Sequence, residues 1–549
     1  MKLSEGFNLL ATAPDGIKRL RELILSLAVQ GKLVPQDPSD QPASELLKQI
    51  RAEKDRLISK GKIRKDKPLP EIGDNEKPFE LPEGWAWGRL NDIIHINSGD
   101  GLTSTQMAAS GQVPVYGGNG VTGFHNVGNV SEPTLVIGRV GYYCGSIHIT
   151  PEIAWVTDNA FITQFPPKHI YMRFLYWLLK GTDLKENESA TAQPVISGRK
   201  LYPIVIALPP FAEQTRIVAK LEELMALCDA LETRGALESK QHAQLTATLF
   251  DALAASESAH QLQENWTRLA SSFDLILDRP AAVDALEQTL LQLAVRGLLV
   301  EQDPNDQPAS ELLKQIRAEK DRLIAEGKIK GDKPEAASFD DAPYELPEKW
   351  EWTTIGEIIS SMGSGWSPAC LAEPQATPDQ WAVLKTTAVQ LMEYQAKQNK
   401  LLPSILEPRP EIEAQNGDIL ITRAGPRNRV GISCLVQNTP PKLMISDKIV
   451  RFHVLGKLIN PQFVVLCLNA GWSYQRLDAA KSGMAESQVN ISQGDLRAIP
   501  LPLCTLAEQT RIVARVEALR TLCADLRARL AASQKTQTHL AGALVAGCV

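Results

Sequence analysis

The octapeptide Ala212-Glu213-Gln214-Thr215-Arg216-Ile217-Val218-Ala219 occurs twice, returning unchanged as residues 507 to 514. Each copy opens a stretch with helical periodicity. In the first, apolar positions fall at Ile217, Leu221, Leu224, Cys228 and Leu231; in the second, at Ile512, Val516, Leu519, Cys523, Leu526 and Leu530. Alternating steps of four and three make a heptad seam, the mark of a helix lying along another helix. Both seams carry a cysteine at the same step, so they read as two copies of one design packed on each other. Thr505 and Glu508 suit a capping box at the start of the second helix, whereas Pro209-Pro210 precedes the first.

The repetition extends far beyond these helices. Gly31 corresponds to Gly297 at an offset of 266 residues, and at that offset Asp40 to Ile58 recurs letter for letter as Asp306 to Ile324. Phe7 and Leu9 already match Phe273 and Leu275. The period is far too long for a solenoid; one half-molecule is written twice. Each half begins with an apolar helix (Leu20 to Val29, stopped at Gly31), a Pro/Asp turn, and a charged helix from about Ser44 to Gly61. A basic linker, Lys62 to Pro68, follows; it reads as a solvated linker or a phosphate contact. Then comes an opening signature, Phe79-Glu80-Leu81-Pro82-Glu83-Gly84-Trp85-Ala86-Trp87, matched by residues 344 to 352. Its paired tryptophans anchor the first strand of a domain by burying large area, or offer rings for base stacking.

Between signature and octapeptide the halves diverge. Residues from about 88 to 207 and from about 353 to 503 share scattered apolar and glycine positions, and both are rich in short β-type runs such as Leu135-Val136-Ile137 and Ile419-Leu420-Ile421. Register returns at Gln193/Gln488 and Ser197/Ser492 with the offset grown to 295, so the second variable region is 29 residues longer. A frame fixed twice implies a fixed geometry or partner; an insert that changes implies something read differently by each half. At 549 residues the chain exceeds a single core and suggests three or four units. No apolar run spans a membrane, the N-terminal residues do not form a signal peptide, and the eight cysteines form no C-x-x-C pair, which fits reduced core thiols in a cytoplasmic protein. A net charge of −6 excludes a wholly basic nucleic-acid coat, not a locally basic binding face.

In these pieces the chain resembles the specificity subunits of type I DNA restriction–modification enzymes. The resemblance is carried by Leu208-Pro209-Pro210-Phe211-Ala212-Glu213-Gln214, by Gly31-Lys32-Leu33-Val34-Pro35-Gln36-Asp37-Pro38 and by the Pro114 to Gly120 turn. Ile137-Gly138-Arg139-Val140-Gly141 and Gly417-Asp418-Ile419-Leu420-Ile421-Thr422-Arg423 complete it. It implies a mixed α/β (α+β) fold with two target-recognition domains separated by two long antiparallel helices, and pseudo-two-fold symmetry from the tandem duplication. The expected segments are a helical segment and arm (1–80), recognition domain 1 (81–208), a first long helix (209–258), a linker and repeated arm (259–345), recognition domain 2 (346–503) and a second long helix (504–549). The resemblance further implies double-stranded DNA, two adenine methyltransferase subunits and motor-nuclease restriction subunits as partners. S-adenosylmethionine, ATP and Mg are then expected on those partners, and no cofactor in this chain. The charged arms 36–68 and 302–334 read as extra packing or as methyltransferase contacts.

The motifs of an enzyme in its own right are missing. Asn460-Pro461-Gln462-Phe463 approaches the tetrad with which adenine methyltransferases grip their base, but lacks the second proline, and the first half has Tyr171-Met172-Arg173-Phe174 there; Asn460-Pro461 reads as a helix start. No phosphate-binding G-x-x-x-x-G-K-[ST] loop occurs. His125 and His148 lack ligand-spaced partners, so no metal site and no catalytic residue is expected. A pure coiled-coil scaffold would explain the helices but not two large dissimilar inserts. DNA contact is expected from Arg423, Arg427 and Arg429 in one glycine- and proline-bounded loop, and from Arg139 with Tyr142 and Tyr143 in the matching loop of the first half. Lys448 and Asn119 are further candidates, since arginine forks onto guanine and asparagine onto adenine. The alternative for each is an ordinary surface side chain in a turn.

Overall fold

A computed structural model describes residues 9–61, 68–108, 110–184, 195–329, 331 and 339–547. Parts of the basic linker and of both arms, with Phe7 and Gln193, lie outside the described residues. The chain forms two compact units, residues 1–238 with 533–549, and residues 239–532. Both divisions fall inside long helices, Phe211–Ala254 and Leu506–Ala546, of 44 and 41 residues.

In the first unit the helix Gly16–Val29 buries Leu20, Leu23, Ile24 and Ala28. It stops where Gly31 takes a positive φ of 71°, and a Cβ there would lie 2.6 Å from Pro82 and 2.8 Å from the Trp85 ring. Gly297 repeats this against Pro347 and Trp350. The glycine in each half therefore lets the opening signature pack tightly on the helix end. Trp85 and Trp350 are 8% and 4% exposed. Their burial stabilises by roughly 4–6 kcal/mol each, from about 150–250 Å² per ring. Of the two sequence readings, the structure assigns this pair the anchoring role.

The arm helices, Ala43–Ser59 and Ala309–Ala325, bury Ala43, Leu46, Leu47 and Ile50, and the matching Ala309, Leu312, Leu313 and Ile316. That spacing is one helical stripe. These residues join the cores of their own units, apart from Ala309, which is buried beside one. Lys54 donates to the backbone and side-chain oxygens of Asn91, and Lys320 to Gly356 O. The arms are thus packed parts of their units.

The dissimilar inserts share one topology. The first holds β1 (Ala86–Arg89), β2 (His95–Ser98), β3 (Val113–Gly117), β4 (Gly120–His125), β5 (Leu135–Gly138), β6 (Ile147–Ile149), β7 (Trp155–Val156), β8 (Ala160–Gln164) and β9 (Val205–Leu208). An antiparallel sheet runs β2-β8-β5-β6, a second sheet runs β4-β3-β7 with β3 and β7 parallel, and β1 pairs with β9 to bring the two ends of the insert together. The second insert begins with β10 (Glu351–Thr354), β11 (Ile359–Ser364), β12 (Ala382–Leu384), β13 (Val389–Gln390), β14 (Glu393–Tyr394) and β15 (Asn399–Leu401). It continues with β16 (Ile419–Thr422), β17 (Ala424–Gly425), β18 (Ser433–Leu435), β19 (Leu443–Met444), β20 (Ile449–Val454), β21 (Ser482–Ala485), β22 (Gln488–Asn490) and β23 (Pro500–Leu503). Its sheets β11-β20-β16-β18 and β15-β12-β19 and its closing pair β10-β23 repeat the first insert strand for strand. The second insert also carries the β13-β14 hairpin and the β17-β22-β21 sheet; among the described residues the first insert shows the bridge Val140 to Val195 at the place where β17 pairs with β22.

Each heptad seam is covered by the short apolar helix of its half as well as by the other long helix. Ile217, Leu221 and Cys228 share a core with Leu20 and Ile24 and with Ala541 and Leu544 from the last turns of the second long helix; Leu224 packs against it and Leu231 is half-buried. In the second unit Ile512 and Val516 join the core that holds Leu291 and Val295. Cys523, flanked by Leu519, Leu526 and Leu530, shares a core with Leu286, Leu290, and Phe250 and Leu253 from the last turns of the first long helix. Within its own unit, each seam is filled by the short apolar helix of its own half and by the far end of the other long helix.

Candidate nucleic-acid interface

The octapeptide is a junction. Glu213, 1% exposed, accepts from Trp85 Nε1 at 3.1 Å and Gln36 Nε2 at 3.4 Å; Glu508 accepts from Trp350 Nε1 at 3.1 Å and Gln302 Nε2 at 2.6 Å. Gln214 and Gln509 accept from the backbone N–H of Tyr171 and Asn460, each just before a helix of its insert. Arg216 and Arg511 pair with Asp40 and Asp306 at 2.6 Å. Burial pushes both glutamate carboxyls above their ordinary value, against the pull of the tryptophan and glutamine donors. Three side chains of the octapeptide thus hold the Pro/Asp turn, the opening signature and a helix start of the insert against the long helix, which is why these letters are fixed twice. Their spacing alone predicts only the start of a coiled helix. Glu508 N–H does bond Thr505 Oγ1, but the Glu508 side chain turns to Trp350 in place of closing a capping box.

This frame holds each insert so that several loops converge at one end of its main sheet. In the first insert, Arg139 follows β5, and its N–H bonds Asn159 O at 2.9 Å while its carbonyl accepts from Ile196 N at 2.9 Å. In the second, Arg423 follows β16, with N–H on Lys448 O at 2.8 Å and carbonyl on Ile491 N at 2.9 Å. Gly145 N to Gly138 O and Gly431 N to Thr422 O, both 2.8 Å, close the two loops alike. Arg139 and Arg423 therefore occupy one position in two domains of dissimilar sequence. The Arg139 guanidinium touches Ser98 Oγ and Asp158 O at 3.4 Å and lies 5.4 Å from the Phe161 ring centre. Among the described residues, the Nε of neither arginine has a hydrogen-bond partner. Such loosely held, half-exposed guanidinium groups at a strand end suit phosphate or base-edge recognition.

The other expected residues divide. Asn119 is exposed in the β3-β4 turn, and Lys448 is exposed beside the Arg423 strand end. Tyr142 and Tyr143 stand 80% and 57% exposed in the Arg139 loop. Arg427 donates to Asp478 at 3.0 Å, which raises its own pKa and, with Lys481, holds the Asp478 carboxyl below its usual range. Arg429 is a strut: its guanidinium donates to Gln390 Oε1, Thr386 O and Val389 O at 3.0, 3.1 and 2.7 Å. The arginine cluster thus splits into one open side chain and two engaged ones, a distinction that spacing alone does not carry. Missed from the sequence were Ser98 and Asp158, which flank Arg139, and their counterpart Asp447. For the two aspartates the signal was the similar pattern of Val156-Thr157-Asp158-Asn159 and Ile445-Ser446-Asp447-Lys448; Ser98 carried none.

Asn460 caps the helix Pro461–Leu468, its side chain accepting from Gln462 N at 2.9 Å, as its Asn-Pro start predicts. Among the described residues no group of three His, Cys, Asp or Glu side chains is placed to hold a metal ion, and no helix is long and apolar enough to cross a membrane.

Residues 82–239 match the type I restriction modification DNA specificity domain family. The chain is 45% identical over 561 aligned residues to the EcoEI type I restriction enzyme specificity subunit of Escherichia coli, covering 96% of this chain and 93% of that one. It is 35% identical to the EcoAI specificity subunit of the same organism, with the same coverage of each. A solved HsdS subunit from Thermoanaerobacter tengcongensis aligns at 17% identity and a TM-score of 0.39, over 86% of this chain and 98% of that one. Identity at this level, along almost the whole length of both Escherichia coli relatives, settles what the repeated frame and its two inserts suggested: the chain belongs to the family of type I restriction enzyme specificity subunits.

Proposed function

We propose that this chain is the non-catalytic, DNA-reading subunit of a type I restriction–modification complex. Each insert reads one half of a bipartite, asymmetric site on double-stranded DNA. The repeated frame positions two adenine methyltransferase subunits on that site, and the motor-nuclease restriction subunits join them. S-adenosylmethionine, ATP and Mg act on those partners, and the complex works in the cytoplasm, where the DNA lies. One observation carries the reading: two inserts with the same strand topology and the same strand-end arginine, but dissimilar loop sequences, sit in a frame that is nearly identical twice. Such an arrangement presents different side chains in one orientation. Lysines and arginines supply salt-dependent affinity on phosphates, and Arg139, Arg423 and Asn119 supply base-edge contacts. Methylation of adenine requires the base to leave the stack, and the flipped base enters the partner's pocket.

The test is to map methylated adenines genome-wide in host DNA with and without the gene for this chain, the methyltransferase gene being present in both. The reading predicts a bipartite methylated motif that appears only with this chain. A motif unchanged by its deletion contradicts it, as does methyl transfer by the isolated chain.

A further inference from the structure

Tyr142 and Tyr143 stand at the tip of a loop that is otherwise held tightly. Between β5 and β6, Cys144 N bonds Gly141 O at 2.9 Å, Gly145 N bonds Gly138 O at 2.8 Å and Ser146 N bonds Tyr143 O at 3.1 Å. Cys144 is the buried foot of the loop, 2% exposed, and Ser146 Oγ ties it to Gly118 O at 3.0 Å. Among the described residues no Phe, Tyr or Trp is more exposed than Tyr142. The two rings meet edge to face, centroids 5.0 Å apart and planes 86° apart. Perpendicular rings cannot both lie flat on one surface, so the ring that offers its face is the more exposed one, Tyr142, and Tyr143 braces it. The same loop begins at Arg139, which puts a guanidinium and an open aromatic face at one edge of the domain. The corresponding loop of the second insert, residues 423–432, contains no aromatic residue.

We infer that Tyr142 stacks on a base face in the half-site read by the first insert, with Tyr143 as its brace, and that the second half-site receives no such contact. The inference rests on the proposed function. A pre-ordered ring on a rigid loop loses little side-chain entropy on binding, and stacking tolerates any base because every base has a π-face. In duplex DNA a base face becomes available only where a step is opened, as aromatic and apolar wedges do elsewhere. The first half-site is therefore deformed by this chain as well as read by it, and the second is not.

The test uses the assembled methyltransferase complex on duplexes of its mapped site, with 2-aminopurine placed singly through both half-sites. Wild type should change the fluorescence at a position of the first half-site other than the methylated adenine. Y142A should abolish that change and weaken binding roughly 5- to 150-fold. The salt dependence should stay the same, because no charge is removed. Y142F and Y142W should retain the signal, and Y143A should lose less affinity than Y142A. Unaltered affinity and fluorescence in Y142A, with an unchanged melting temperature, overturns the inference while leaving the proposed function intact; so does an equal change in both half-sites. Absence of any sequence-specific binding by the wild-type complex overturns the functional reading on which it rests.

Discussion

Replacing Glu508 by glutamine should be far more damaging than the same change at Glu213, although the two stand at identical positions of the repeat. The difference lies in how each carboxylate is used. At Glu508 the two oxygens serve separate donors, Oε1 for Gln302 and Oε2 for Trp350. At Glu213 both Gln36 and Trp85 donate to Oε1. A glutamine at 213 can place its amide oxygen where Oε1 was and keep both bonds. A glutamine at 508 must turn its NH₂ toward one of two buried donors, leaving that donor unpaired at about 1–3 kcal/mol. Relief of the buried negative charge is common to both variants and cancels in the comparison. For units of this size the gap corresponds to roughly 2–12 °C in melting temperature. Calorimetry of E213Q, E508Q and wild type, following the transition of the altered unit, measures it. Equal losses, or a larger loss in E213Q, would refute the reasoning. The pH response has a fixed sign. Because both carboxyls are raised by burial, their contribution is fully present below the ordinary value near 4.5 and is lost as pH rises through the folded-state value. Wild-type stability should therefore improve relative to either glutamine variant as the solution is acidified through that window.

R429A should lower the melting temperature, with a loss on the order of 2 kcal/mol from three acceptors left without their donor. R423A should leave stability unchanged and weaken specific DNA binding by about 1–3 kcal/mol, relaxing one base position or reducing the salt slope; the opposite ranking in thermal melts and binding titrations would reverse these roles. Glu287 is bound by Arg520 and Arg527 at 2.7 and 2.8 Å; burial opposes its ionisation, but the two arginines outweigh it and hold the carboxyl below 4.5. Its contribution is present above the unfolded value and lost as pH falls through the folded one, so E287Q should destabilise the second unit at neutral pH and match wild type in acid, as urea titrations across pH would show.

The duplicated frame was legible because it is written in identical letters, and the helices within it because their apolar stripes are regular. The Asn460 cap and the stops at Gly31 and Gly61 could be read locally for the same reason: they depend on one residue and its immediate neighbours. The partners of the seams could not be read. A heptad stripe says that a helix is covered, not by what, and Leu20 and Leu286 fit such a stripe as well as another long helix does. The shared topology of the inserts was hidden because short strands in a sheet constrain alternation and turn position far more weakly than identity. Loop context in the sequence singles out Arg139 and Arg423, and the structure places both at the end of a central strand. That Arg429 faces inward does not show in that context, because its acceptors at Thr386 and Val389 lie some 40 residues away in sequence.

The central claim is that each insert reads its own half-site independently within a shared frame. The direct measurement replaces residues 88–207 with the corresponding region of another specificity subunit of this family and maps methylated adenines genome-wide in cells carrying the hybrid and the same methyltransferase. The account predicts a bipartite motif in which one half changes and the other half is retained. A hybrid that folds and assembles yet changes both halves, or neither, contradicts it.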